Sequence, residues 1–334
     1  MAAPTAIPGW TALESPFHAG ELAVQDRIGV REQLDARVRR AGIRDYMPDQ
    51  HRSFFGELPF IVVACADSEE PQPSVSLLVG PPGFITTPDA RTVRIDAPLL
   101  PGSPLEGRLH AGASIGALGI QLTTRRRNRV NGVVASSERD TLTVAVNQSF
   151  GNCAKYIQRR EAFAIAAAAV TSPLVVREAT LLGPDDRRLI GTADTLFIAT
   201  ANLDRAAGPA RGVDVSHRGG RPGFVRIDDD HTLTMPEFVG NSYFNTLGNV
   251  LENPAATLLF VDFECGDLLQ LACDAKIVWD GPEVQVFDGA QRLVRLRVRN
   301  VRRTIGTLTI EGAVPQYAPE LARTGTWPAP VRSP

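Results

Sequence analysis

The chain has 334 residues, 43% of them hydrophobic, with 35 basic against 37 acidic side chains. That is enough for one large domain or two medium ones around a buried core, and a net charge of −2 excludes a bulk electrostatic pull toward nucleic acid or an anionic membrane. The opening MAAPTAIPGW has no basic stretch before an apolar run, no segment reaches the roughly 18 apolar residues of a membrane helix, and the cysteines show no C-x-x-C spacing. A cytoplasmic protein with reduced thiols is expected, three of them (Cys65, Cys265, Cys273) in apolar strand-like runs.

In chain order, residues 1–53 read as an N-terminal helical arm. SPFHAGE (15–21) and MPDQHR (47–52) sit at helix starts within it. His18, Glu21, Asp49 and His51 lack H-E-x-x-H spacing, so capping or packing is expected of them and no metal site. FIVVACAD (60–67) opens a first barrel over 54–160, built from short β-branched runs bounded by Gly, Pro or Asp. Ser103-Pro104 predicts a short helix ending near Gly112. GASIG (112–116) has G-x-S-x-G spacing, but a strand-like run follows where the hydrolase turn needs a helix, so it is no nucleophile.

The hairpin TTRRRNRVNGVV (123–134) carries four arginines in five residues, among them Arg127 and Arg129 around Asn128. Without interleaved aromatics this is a poor nucleic-acid patch. A solvated turn and an anion site remain, the latter because arginine grips phosphate or carboxylate at two points. NQSFGNCAKYIQRR (147–160) reads as the start of a helix, with Asn152, Lys155 and Tyr156 grouped at an anion-attracting N-terminus. Residues 161–192 read as a linker.

After it the first pattern recurs. FIATANLD (197–204) repeats the frame F-I-x-x-A-x-x-D, PGF stands at 82–84 and again at 222–224, and GALGIQL (116–122) aligns with ATLLFVD (256–262). A second barrel is expected over 193–313, followed by a Pro-rich tail over 314–334. The class is mainly β with minor α: two tandem antiparallel barrels. In GVDVSHRGGRPGFVRI (212–227) the strand pattern is interrupted by Asp214, Ser216, His217 and Arg218 before Gly219-Gly220. GNSYFNTLGNVLENP (240–254) puts Asn241, Ser242, Asn245 and Thr246 at a helix start, and Pro254 stops that helix. It is expected just after the strand with which 212–219 pairs, so the two stretches converge on a phosphorylated, extended ligand.

RRNRVNG (126–132) resembles the R-Q-V-R-V-E-G strand of the pyridoxamine 5′-phosphate oxidase-like FMN-binding split barrels, and ENPAATLLF (252–260) is similar to their E-N-P-R-x-x-L-x-F segment. With SPFHAGE, MPDQHR, SFGNCAKYIQ and VDVSHRGGRPGFVR, the match is to a subgroup with two such barrels in one chain. The resemblance implies FMN at the junction of two split barrels and an FMN-dependent oxidoreductase exchanging hydride at flavin N5 with a small-molecule substrate. It puts Asp214, Ser216, His217, Arg218, Asn241, Ser242 and Asn245 on the flavin from one barrel. Arg127, Asn128, Arg129, Asn152, Lys155 and Tyr156 would come from the other barrel or a second subunit, with His217 as the acid–base candidate. The oxidases' phosphate-gripping Arg-Lys pair falls at Asn245 and Thr246, so charge must come from Arg218 or from 125–129. Their C-terminal substrate segment has no counterpart, so vitamin B6 oxidation is not expected. Electrons would come from a separate reductase or NAD(P)H, and the chain can be expected to form a homodimer, with neither nucleic acid nor membrane as partner. Two alternatives stand: a haem-binding or haem-degrading split barrel, and a flavin binder without turnover.

Overall fold

The computed structural model describes residues 9–12, 14–38, 42–169, 174–312 and 314–328. The arm contains α1 (Ala19–Ile28), α2 (Arg31–Val38) and α3 (Asp49–Gly56). His18 caps α1 through Nδ1, which accepts from Gly20 N–H, while the Glu21 carboxylate accepts from His18 N–H. The histidine of SPFHAGE therefore does cap a helix. His51 packs with its Nδ1 2.9 Å from Ser149 Oγ.

Seven strands follow: β1 (Phe60–Ala66), β2 (Ser74–Val79), β3 (Ile85–Thr86), β4 (Thr92–Asp96), β5 (Ser114–Gln121), β6 (Arg126–Glu138) and β7 (Thr141–Gly151). They form one antiparallel sheet in the order β2-β1-β5-β6-β7-β4-β3. Short pieces come next, β8 (Arg159–Arg160), β9 (Ala164–Ala167), β10 (Val176–Ala179) and α4 (Pro184–Thr192). The second sheet is built from β11 (Thr195–Asn202), β12 (Gly212–Gly219), β13 (Arg226–Ile227), β14 (Thr232–Glu237), β15 (Ala255–Val261), β16 (Leu268–Val278) and β17 (Arg292–Thr304). Its order, β12-β11-β15-β16-β17-β14-β13, is that of the first sheet strand for strand. Between β14 and β15 lies α5 (Asn245–Glu252), and β18 (Leu308–Glu311) and β19 (Pro315–Gln316) close the chain's strand set. The protein is mainly β, two split barrels with a helical arm.

β1 is buried at every position rather than at alternate ones, because both of its faces are covered. Ile61, Val63 and Cys65 point into the first barrel's core, and Phe60, Val62 and Ala64 into a second core shared with Phe197, Ala199, Val213 and Val215 of the other barrel. The barrels are thus joined by apolar surface along β1, β2, β11 and β12. No helix among the described residues is long and apolar enough to cross a membrane.

Several local expectations differ from the structure. Residues 101–112 form successive turns, with Ser103 Oγ accepting from Leu105 N–H, where a helix was expected. The Pro inside that stretch pre-organises a turn as readily as a first helical turn. At 147–160 the chain stays in β7 to Gly151 and then turns into β8, because Val130 and Asn131 of β6 keep pairing with Ser149 and Gln148. The supposed linker is woven into the fold: β10 pairs with β17, and β9 with β18. Cys265 is exposed in the turn between β15 and β16, not in a strand.

β12 does not pair with β14 either. Its neighbour is β11, and β14 pairs with β13 and β17. Finally, the alignment of GALGIQL with ATLLFVD is one residue out. Ile61 pairs with Leu78 and Gly119, and its counterpart Ile198 pairs with Ser216 and Leu258. Gly119 therefore corresponds to Leu258 and not Leu259, a shift that exchanges the two faces of the strand.

Candidate functional site

The two ends of the second sheet meet across the split. Arg218 on β12 donates from Nε to Glu237 Oε2 on β14 at 3.0 Å, so the strands converge through side chains instead of a ladder. β6 of the first barrel lies against the same edge. Arg127 and Arg129, two apart on β6, reach opposite faces of β12. Arg129 donates to Asp214 Oδ1 at 2.8 Å and to Ser216 Oγ at 2.5 Å, and Arg127 donates to His217 Nδ1 at 3.0 Å. Ser216 Oγ also accepts from Thr246 in the first turn of α5.

These residues enclose a polar cavity of about 80 Å³ lined by Arg127, Arg129, Asn152, Ser216, His217, Arg218, Asn241, Ser242, Asn245 and others from the same strands and helix. Asn241 donates to Asn152 Oδ1 at 3.3 Å, which ties the β14–α5 loop to the segment after β7. That loop carries Ser242 and Phe244 in the left-handed region, φ 65° and 63°, a conformation non-glycine residues seldom adopt and one that clusters at ligand sites. A neck of about 60 Å³, lined by Arg127, Lys155, Tyr156, His217 and Arg218, adjoins the cavity. Beyond Tyr156 and Lys155 it meets a hollow of about 520 Å³ bordered by Gln291, Glu320 and Arg323. Tyr156 stacks on Phe238 with ring centroids 4.9 Å apart.

Eleven of the thirteen residues expected at the site from sequence line the cavity or its neck. Asp214 lies one step behind, holding Arg129. Asn128 is the exception: between Arg127 and Arg129 on a strand, it points to the opposite face, with its Oδ1 toward Gly151. Sequence reading missed Glu237, whose strand pattern gave no sign of a partner for Arg218. It also missed Asn131 and Asn249, which donate to the two oxygens of Asp214 at 2.7 and 2.9 Å.

The charges are unevenly matched. Asp214 neutralises Arg129 and Glu237 neutralises Arg218, but among the described residues Arg127 meets no carboxylate. Burial and the neighbouring Arg218 push its pKa down to about 10, which leaves it a cation at neutral pH. His217, 4% exposed, is held well below the usual histidine range by burial and then by Arg127, Arg218 and Arg160. Because Nδ1 accepts from Arg127, the proton of this neutral ring sits on Nε2.

Three residues lining this cavity each carry a buried N–H with no acceptor: Arg129 at Nε, Asn152 at Nδ2 and His217 at Nε2. The same holds for the Nε of Arg108, Arg160, Arg211, Arg292 and Arg302 elsewhere in the fold, so what marks this hollow is the unmatched charge of Arg127. No group of three or more His, Cys, Asp or Glu able to hold a metal occurs among the described residues.

No family model matches the chain, and no curated protein matches it in sequence. Among solved structures it is similar to HupZ of Group A Streptococcus, at 18% identity over 35% of this chain and 90% of that one, TM-score 0.28. It is also similar to a Clostridium acetobutylicum protein related to general stress protein 26, of the pyridoxinephosphate oxidase family, at 9% identity over 40% and 90%, TM-score 0.25. The Bacillus subtilis inhibitor of motility aligns over 73% of this chain and 88% of its own, at 10% identity and TM-score 0.21. The fold itself rests on the chain's own strand order.

Proposed function

We propose that the chain is an FMN-dependent oxidoreductase whose phosphate site is the cavity between β6, β12 and α5. The observation that carries this reading is Arg127, a buried cation on a polar cavity that meets no carboxylate among the described residues. A phosphate offers acceptors on every side and the negative charge that Arg127 lacks. A cavity of about 80 Å³ accommodates several water-sized groups, the scale of a phosphate and not of a ring system. The neck and the wider hollow beyond Tyr156 provide room for the remainder.

When bound, FMN supplies hydride exchange at its N5. Arg127, Arg218 and the start of α5 hold the charged end. Tyr156 and Phe238 wall the neck and limit water. His217 accepts from Arg127 through Nδ1, so its role is that of a neutral ring that positions this guanidinium on the cavity. The acid–base role expected from sequence does not suit a ring whose Nδ1 is engaged by a guanidinium. The same engagement weakens the haem alternative, since among the described residues His217 is the only histidine lining the cavity and its Nδ1 is taken by Arg127. A small-molecule substrate and an electron donor, NAD(P)H or a separate reductase, belong to the proposal.

Titration of the apo-protein with FMN and with riboflavin tests it. FMN should bind at least about tenfold more tightly, the minimum worth of one charge-assisted hydrogen bond of about 1.5 kcal/mol. Equal affinity for both would sink the phosphate assignment.

A further inference from the structure

The arm touches the cavity from behind, through a continuous run of buried polar groups. α1 crosses α5 where both present glycine: a Cβ on Gly20 would lie 2.2 Å from Gly248 O, and one on Gly248 2.5 Å from Glu21 N. This close crossing brings two side chains of the arm onto α5. Glu21 Oε1 accepts from Asn245 Nδ2, and Asn245 lines the cavity. His18 has Nδ1 occupied by Gly20 N–H, so Nε2 carries the proton and donates to Asn249 Oδ1 at 2.9 Å. Asn249 Nδ2 donates in turn to Asp214 Oδ2, and Asp214 Oδ1 accepts from Arg129. From the arm to a cavity-lining guanidinium there are three hydrogen bonds, each with a fixed direction.

We infer that His18 and Glu21 are positioning residues of the cavity, and that docking of the N-terminal arm and binding of an anion between β6, β12 and α5 are one coupled equilibrium. The inference rests on the phosphate reading of that cavity. Asn245 bonds the arm and lines the cavity, and Asn249 bonds both the arm and the Asp214 that holds Arg129, so a shift of the arm is felt at the site through both.

Glu21 gives the coupling a signature. Its carboxyl is 2% exposed, and burial and then Asp214 hold it well above the usual carboxylate range, against the pull of the His18 N–H, Asn245 and Arg129. Glu252 of α5 also packs against this crossing. Ionised, Glu21 would stand as a second carboxylate beside Asp214 and cancel the single cation in excess. A raised pKa in the docked state means the docked, anion-binding form is favoured at lower pH and weakened as pH rises through that value.

The test uses the full chain, with FMN and inorganic phosphate as probes. Affinities of the wild type and Glu21→Gln are measured between about pH 5 and pH 9, and hydrogen exchange of residues 19–28 with and without probe. The ratio of the two affinities removes the titration of the phosphate itself, which both proteins share. That ratio should move against the wild type by up to tenfold per pH unit, the limit for one proton, and exchange across α1 should slow on binding. A flat ratio, or arm exchange indifferent to FMN, overturns the coupling while leaving the cavity reading intact. A wild type that binds neither FMN nor phosphate overturns both.

Discussion

Replacing Arg218 by alanine isolates the site's charge more cleanly than replacing Arg129, whose loss would strand Asp214 in the interior. Arg218 gives Nε to Glu237 and NH1 to the His217 carbonyl, and its NH2 has no protein acceptor among the described residues. A phosphate oxygen on that nitrogen forms a charge-assisted bond of about 1.5–3 kcal/mol. Its loss corresponds to about 10- to 150-fold in Kd. The single variant also frees Glu237, a carboxylate on the cavity wall, and so should weaken FMN binding beyond that range. The pair Arg218→Ala with Glu237→Gln restores the charge count and should fall within it. Flavin fluorescence titration reads the affinity, and a thermal melt reports whether the barrel survives. Arg299→Ala is the control: its ion pair with Asp274 is exposed, worth less than about 1 kcal/mol, and distant from the cavity. A double variant that holds FMN like the wild type would refute the assignment of Arg218.

Titration of apo-protein should saturate at about one FMN per chain, because Arg127 and Arg129 come from one barrel and Ser216, His217 and Arg218 from the other; two per chain would contradict a composite site. Acid should unfold the protein early. His18, His51 and His217 are buried neutral, with His51 held at about 4, so the unfolded chain takes up three protons below its ordinary histidine pKa that the native state refuses. Glu21, which binds a proton more readily when folded, offsets one of them. Stability should therefore fall as pH drops below about 6.5, and more steeply in Glu21→Gln; denaturant melts that stay level to pH 5 would disprove it. Gly248→Val, with a Cβ forced onto Glu21, should undock α1 and lower the Tm, and an unchanged melt would contradict the crossing.

The fold was legible where the signal is local and repeated. The F-I-x-x-A-x-x-D frame marks β1 and β11 because both are buried on two faces and admit little but small and branched apolar residues. The helix at 245–252 is marked by its Pro stop. What sequence could not show is which face each strand turns outward. One residue of slip in aligning β5 with β15 leaves the apolar pattern looking intact and moves every side chain to the other side. For the same reason Asn128 reads as a companion of Arg127 and Arg129 although the pleat sends it away. The partners of Asp214 were hidden more deeply, since Asn131 and Asn249, with His18 behind Asn249, come from three distant elements and meet only after the barrels and arm have packed.

The corrected register also explains why a chain with two barrels of one topology has a single candidate site. With Ile61 matched to Ile198, the positions of Asp214, Ser216, His217 and Arg218 fall on Ser76, Leu78, Val79 and Gly80. Those of Arg127 and Arg129, traced through the β5–β6 and β15–β16 ladders, fall on Gln270 and Ala272. The counterpart of α5 is the run of turns at 101–112. Every charge, the hydroxyl, the imidazole and the helix start are thus missing from the related position. Leu78 there joins the first barrel's core, and Val79 the core between barrels. A buried cation without an anion is costly, so a position that binds no ligand is more stable when filled with apolar side chains. Retaining the full set on one side only, with Arg127 meeting no carboxylate among the described residues, is a standing cost that a bound anion would offset. That asymmetry is the physical reason to look for an anion between β6 and β12; the related position, around Val79 and Gly80, borders a larger hollow of about 660 Å³ whose lining is mostly apolar.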